Sequence, residues 1–251
     1  MGKSKTNFYV VFSGRIEERT VFSSWGDVHP RISGCDSKIK GFKTIEDARK
    51  YMDELGLKCK EDIKDTALDT TPTRNSYAYY AVANGRFPGI KRVWYGEAGA
   101  KDDTDKFNHT CHKHFRTEAQ AKAFIEDWKN AYADVVRRAT VEALERGAKP
   151  SDLDFVVLID WKEAYADAVR LAAIKALSEG TLPSELNFDV LVDWKKEYAE
   201  AVRLATKKAL DDGLRPSDFD LIREKPSFNQ GTSCYIEDFA DEFKAKLSVD
   251  E

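Results

Sequence analysis

The chain has 251 residues, 42% of them apolar and 33% charged, a soluble composition that excludes intrinsic disorder and can bury one large core or several small ones. No apolar run reaches the roughly 18 residues of a spanning helix, and Cys35, Cys59, Cys111 and Cys234 have no paired spacing and read as free thiols. The net charge of −4 is unevenly divided, with 22 Lys and Arg against 18 Asp and Glu in residues 1–126 and 18 against 26 in residues 127–251, so phosphate binding would have to come from local placement and not from bulk charge.

In chain order, Met1-Gly-Lys-Ser-Lys5 lacks the apolar core of a signal peptide, which predicts an intracellular protein, cytoplasmic or nuclear. A first module, residues 7–56, opens on the strand-like run Tyr9-Val-Val-Phe-Ser-Gly-Arg15. A turn and a second strand lead to Trp25, and the basic patch Lys38-Ile-Lys-Gly-Phe42 precedes an amphipathic helix capped by Thr44. Residues 57–76, with Asp69-Thr-Thr-Pro-Thr-Arg-Asn-Ser76, read as a linker.

A second module, residues 77–127, repeats the order of parts: Tyr80-Ala-Val-Ala-Asn-Gly-Arg-Phe-Pro-Gly89, Trp94, His112-Lys-His-Phe115, then a helix capped by Thr117. Each module predicts a three-stranded antiparallel sheet with one main helix, so the fold class is α+β, followed by an all-α helical-hairpin region.

That region, residues 128–222, is an internal repeat of about three units. Asp127-Trp-Lys, Asp160-Trp-Lys and Asp193-Trp-Lys recur every 33 residues, and Tyr132, Tyr165 and Tyr198 keep the register with Gly147, Gly180 and Gly213 and with Pro150, Pro183 and Pro216. Trp128, Tyr132, Val136, Ala139 and Ala143 share one helical stripe. Gly147 is placed for a positive-φ cap, Pro150 stops the helix, and Ser151 begins a short helix to Leu158. Stacking of each unit on the next would bury the Trp and Tyr rings. Residues 223–251 form a tail whose Tyr235–Phe243 segment suggests a short capping helix.

The two modules resemble the hybrid-binding domain at the N-terminus of ribonuclease H, also found in caulimovirus viroplasmins. The second copy matches over about 45 residues, including the Gly-Arg-x-Pro-Gly turn. The first keeps Gly14-Arg15, Trp25, Phe42, Thr44 and Ala48, but its turn reads Ile16-Glu-Glu-Arg19. The resemblance implies a groove floored by Trp94, and by Trp25 in the first copy, that accepts a nucleic-acid sugar. Tyr80 and Tyr9 would stand beside it, Arg86 and Arg15 follow the turn glycines, and Lys38, Lys40 and Lys113 would meet phosphates. The family's stacking aromatic is replaced by His112 and Ile39, and His112 with His114 would titrate near phosphate.

The expected ligand is an RNA–DNA hybrid or double-stranded RNA, bound without sequence preference, with partner docking or self-association through residues 128–222. His109-Thr-Cys-His-Lys-His114 lacks the second ligand pair of a zinc site, no cofactor motif is evident, and no carboxylate set points to catalysis. A non-catalytic binding protein without metal or membrane contact is expected, its rival being a scaffold whose modules have lost nucleic acid.

Overall fold

The computed structural model describes residues 7–64, 78–96, 98–105, 107–153, 159–187 and 193–218. The centre of the expected linker, the segment 154–158 and the tail with its capping helix lie outside these residues.

In the first module β1 (Phe8–Ser13) is flanked by β2 (Thr20–Phe22) and β3 (Lys38–Phe42), both antiparallel to it. The side chains of β1 alternate between the sheet faces. Phe8 and Val10 pack with Ala48 and Met52 of α2 (Ile45–Glu54), whereas Val11 packs with Val28 of α1 (Trp25–Ile32). Thr44 caps α2, its hydroxyl accepting the Asp47 amide at 3.1 Å. The sheet has one strand more than expected. β4 (Lys60–Asp62) pairs parallel to β2, and Leu57 and Cys59 join the α2 core. The start of the segment read as linker thus belongs to the first module, because its backbone supplies the ladder partner that an edge β2 would lack.

The second sheet has the order β6-β5-β7, made of β5 (Tyr79–Asn84), β6 (Gly89–Lys91) and β7 (Cys111–Phe115), all antiparallel. The short helix α3 (Ala100–Thr104) stands where the first module has α1. The shared Gly-Arg pair does the same work twice. A Cβ on Gly14 would lie 2.6 Å from the Arg31 carbonyl oxygen, and one on Gly85 2.6 Å from that of Asp103. The next amide, of Arg15 or Arg86, donates to that same oxygen at 2.7 or 2.8 Å. Only glycine lets the turn come close enough to close off the helix end.

Thr117 and Gln120 form a capping box that opens α4 (Glu118–Glu145), 28 residues long. The boundary expected between residues 127 and 128 falls inside this helix, which continues through it unbroken. The first part of α4 covers the second sheet through Ala121 and Phe124. Its middle lies along α1, and its far side is paired with α6 (Asp193–Asp211). Glu126 near the start of α4 pairs with Lys207 near the end of α6 at 2.7 Å, whereas Arg138 and Glu142 farther along α4 line a cleft with Lys196 near the start of α6, so the two helices run antiparallel.

The units do not stack in chain order. α6 packs against both α4 and α5 (Trp161–Ser178), whereas α4 and α5 barely meet. Trp128 stacks on Tyr132 of its own helix, and Tyr165 meets Trp194 edge-on at 5.1 Å. Gly147, Gly180 and Gly213 have φ of 93°, 95° and 94°. Each closes its helix with the same pair of bonds, such as Ala148 N–H to the Ala143 carbonyl and Gly147 N–H to that of Leu144. Of the helix expected from Ser151 to Leu158, the described part is a 3₁₀ turn at Pro150–Asp152, and residues 154–158 lie outside the described residues. There the Asp152 carboxylate accepts the Lys149 amide at 2.9 Å, which replaces the expected Ser151 cap. Asp160 caps α5 by accepting the Lys162 and Glu163 amides.

The joint between α1 and α4 is close and polar. A Cβ on Gly26 would lie 2.6 Å from the Phe124 carbonyl oxygen. His29, 6% exposed, accepts the indole N–H of Trp128 on Nδ1 at 3.2 Å. Lys64 Nζ bridges Asp27 and Asp127 at 2.9 and 2.8 Å. Burial pushes the His29 imidazole down to about 4, helped by His109 and opposed by a bond to the Thr110 backbone. Burial, then the Asp127 carboxylate, push Asp27 up to about 6 against the pull of Lys64.

Two outcomes follow from this joint. Gly26→Ala gains about 1 kcal/mol of helix propensity, but parting the two backbones costs about 1–3 kcal/mol; a lower urea midpoint for the variant is expected. His29 binds its proton more weakly folded than unfolded, so its contribution is complete above pH 6.5 and is lost as pH falls towards 4. Asp27 binds its proton more tightly when folded and regains stability as pH falls from 6 towards 3.8. The two largely cancel in the native protein. In Asp27→Asn, unfolding free energy is expected to drop about 1 kcal/mol more between pH 6.5 and 5 than in the native chain, at about 1.36 kcal/mol per pKa unit.

Candidate functional site

The residues of the second module's outer face are set by strand alternation. Tyr80 pairs with His114 and Val82 with His112, which puts these four side chains opposite Ala81, Cys111 and Phe115 of the core. Trp94, after β6, folds over this face. Its ring lies 5.4 Å from Tyr80 and 5.3 Å from His112, and Tyr80 is 6.2 Å from His114. The result is a contiguous run of four rings, with His112 exposed and the other three half-buried. Burial lowers the His112 pKa, and the Trp94 ring is one of the groups packed beside it. Arg86 is exposed in the turn beyond Gly85.

Lys113 takes no part in this surface. It is paired with Ala81 and points to the opposite side of β7, where its Nζ lies 5.6 Å from the Phe115 ring and its stem lines a crevice with Gln120 and Asp127. The reason is the two-residue period of the strand: a lysine between His112 and His114 must leave their face.

The equivalent surface of the first module is used differently. Tyr9 and Trp25 are 5.2 Å apart, and Trp25 is 6.0 Å from His29. Trp25 packs against the cores of both modules, so its half-buried ring is part of the joint and not the floor of an open groove. Burial, with the nearby Cys111 thiol, pushes the Tyr9 phenol up to about 12. Ile39 stands where His112 does and Gly41 where His114 does, so the run of rings stops at Trp25. Arg15 donates to the Ser33 and Gly34 carbonyls and closes the end of α1. Lys38 and Lys40 project on the α2 side, Lys38 Nζ 5.7 Å from Phe12 and Lys40 Nζ 3.4 Å above Tyr51. Of the eleven residues the sequence singles out, the structure gathers Tyr80, Trp94, His112 and His114, with Arg86 beyond the turn.

Two aromatics not singled out stand out by exposure. Tyr95, beside Trp94, is 73% exposed under Lys101, and Phe87 in the Gly-Arg-Phe-Pro-Gly turn is 63% exposed. The signal for Tyr95 was its adjacency to a lone Trp in a polar stretch. Among the described residues no three His, Cys, Asp or Glu side chains come together to hold a metal ion, and no helix is long and apolar enough to cross a membrane.

With the geometry in place, the comparisons add one relation. Residues 7–52 and 78–125 match the family model of the ribonuclease H1 N-terminal domain, and together these segments make up less than half of the chain. That family is associated with nucleic-acid binding. No curated protein and no solved structure matches the chain.

If Trp94 is what dries His112, removing the indole returns the imidazole to water. Proton NMR titration is expected to give His112 a pKa below that of free histidine in the native protein and a higher one in Trp94→Ala.

Proposed function

We propose that the protein is a non-catalytic, sequence-independent nucleic-acid-binding protein whose site is the ring face of the second module. The observation that carries the reading is the unbroken run His114, Tyr80, Trp94 and His112 on one sheet face, with His112 exposed, within a segment that matches the family model. Aromatic faces take a base or sugar without reading its edge pattern. The ligand is an RNA–DNA hybrid or double-stranded RNA held across its minor groove, where 2′-hydroxyls distinguish it from DNA. His112 and His114 add positive charge as pH falls, so binding tightens in acid.

In this reading the first module braces the second and does not bind. Its ring face is spent on the joint, and its lysines lie on the other side of the sheet. Binding therefore has the shallow salt dependence of a single module.

A second reading, a scaffold that self-associates through its helices, draws on the outer side of α5, where Leu171, Ile174 and Leu177 are 48%, 58% and 41% exposed. One titration separates the two. Native protein, Trp94→Ala and Lys40→Ala are mixed with hybrid, double-stranded RNA and double-stranded DNA at two salt concentrations. Expected is preference for hybrid or RNA, a log–log salt slope of about −1 to −2 at roughly 0.9 per phosphate, and a loss of about 5- to 150-fold in Trp94→Ala from about 1–3 kcal/mol of stacking. Lys40→Ala should match the native protein. A slope twice as steep with loss at Lys40 would mean that both modules bind. Absence of binding at low salt would leave the scaffold.

A further inference from the structure

Away from the ring face, a cleft of about 250 Å³ opens where three parts of the molecule meet. Its lining is Glu17 from the turn after β1, Arg137, Arg138, Val141 and Glu142 from α4, and Lys196 from α6. It is smaller than the roughly 300–1,000 Å³ of clefts for drug-sized ligands, a size suited to a small polar group.

Three cations face two carboxylates there, and each cation is loosely held. Arg137 reaches Glu17 at 3.5 Å, Arg138 reaches Glu142 at 3.4 Å, and Lys196 reaches Asp193 at 3.9 Å. Well-made charge-assisted bonds are about 2.7–2.9 Å, and this molecule makes such bonds elsewhere, as between Lys207 and Glu126 at 2.7 Å. Arg138 is the more telling. Its side chain is 22% exposed, and its Nη1 is buried without a hydrogen-bond partner among the described residues. Leaving a guanidinium N–H dry and unpaired is costly, and a buried group of this kind asks for an acceptor.

We infer that this cleft binds a phosphate group. Arg138 Nη1 is sealed as the side chain stands, and a turn of the guanidinium towards the cleft would bring that unpaired N–H to a phosphate oxygen, with a second oxygen between Arg137 and Lys196. The planar fork of arginine matches two phosphate oxygens at once. The two glutamates need not leave, because their present bonds are long and they can turn to water. A phosphate seated there would tie the first module's turn to α4 and α6, so binding should stabilise the fold as well as occupy a site. The group can come from a free phosphomonoester or from a nucleic-acid backbone, and the chemistry of recognition is the same.

The test is thermal unfolding of the full chain with inorganic phosphate, against chloride at equal ionic strength, for native protein, Arg138→Gln, Lys196→Gln and Trp94→Ala. Lys196 is exposed, so its variant folds even if Arg138→Gln is impaired. The expected result is a saturable, phosphate-specific rise in Tm for native protein and Trp94→Ala, with at least a tenfold weaker midpoint in both cleft variants. A rise equal to that in chloride, or one kept in both cleft variants, overturns the inference. Competition assigns the source. Displacement of phosphate by a 5′-nucleotide but not by an oligonucleotide with hydroxyl ends marks a monoester site, and displacement by the oligonucleotide marks a backbone contact. Because Trp94→Ala should still respond, failure of the ring-face reading and failure of the cleft are read separately.

Discussion

The close approach of α1 to α4 at Gly26 is the contact on which the molecule's organisation rests. Each module alone is a sheet of three or four short strands with a small core, at a size where a single core is marginal. α4 removes that weakness by serving three partners along its roughly 42 Å length at 1.5 Å per residue. Its first turns close the second sheet, its middle receives α1, and its other side receives α6. The approach is possible only because residue 26 has no side chain to stand between α1 and the Phe124 carbonyl. Once the backbones meet there, His29 falls beneath the Trp128 indole and Lys64 between two aspartates. His29, Trp128 and Asp27 are dry because the helices touch.

The same contact divides the work between two copies of one module. Both copies place a tyrosine and a tryptophan on the same side of the sheet, about 5 Å apart. A pair of rings is suited equally to covering a base and to covering a helix, since both uses remove apolar area from water. In the first copy the rings help build the joint, and Ile39 and Gly41 do not extend the surface. In the second copy α3 has only five residues where α1 has eight, and more of the face stays open. His112 and His114 then continue it. The two copies thus differ in what meets the ring face: the joint in the first, and two further histidines in the second.

Charge follows placement more than composition. Arg15, a cation in the matching motif, is consumed in closing the end of α1. Lys40 lies on the Tyr51 ring and Lys113 beside Phe115, on the faces away from the tryptophans. The mild basic excess of the N-terminal half therefore does not gather at the ring face. In the acidic half, by contrast, Arg137, Arg138 and Lys196 converge although their surroundings are net negative.

Local order was legible in the residues. Gly-Arg after an apolar strand, Thr44 and Thr117 before amphipathic helices, and glycines at 33-residue intervals depend on interactions within a few positions, and each takes the local form its neighbours dictate. The period-two alternation even separates His112 and His114 from Cys111. The strand β4 was not legible, because Lys60-Glu-Asp62 has no apolar alternation and pairs only through its backbone. Nor was the continuity of α4, in which one stripe of side chains serves the second sheet and then two other helices. Which tryptophan joins the seam between the modules, and which helix lies between its neighbours, depended on contacts between residues 18 to 99 positions apart. The sequence alone determined the parts and their faces, since those follow from periodicity and capping. The tertiary structure decided which face is covered, since that depends on how near two backbones can come.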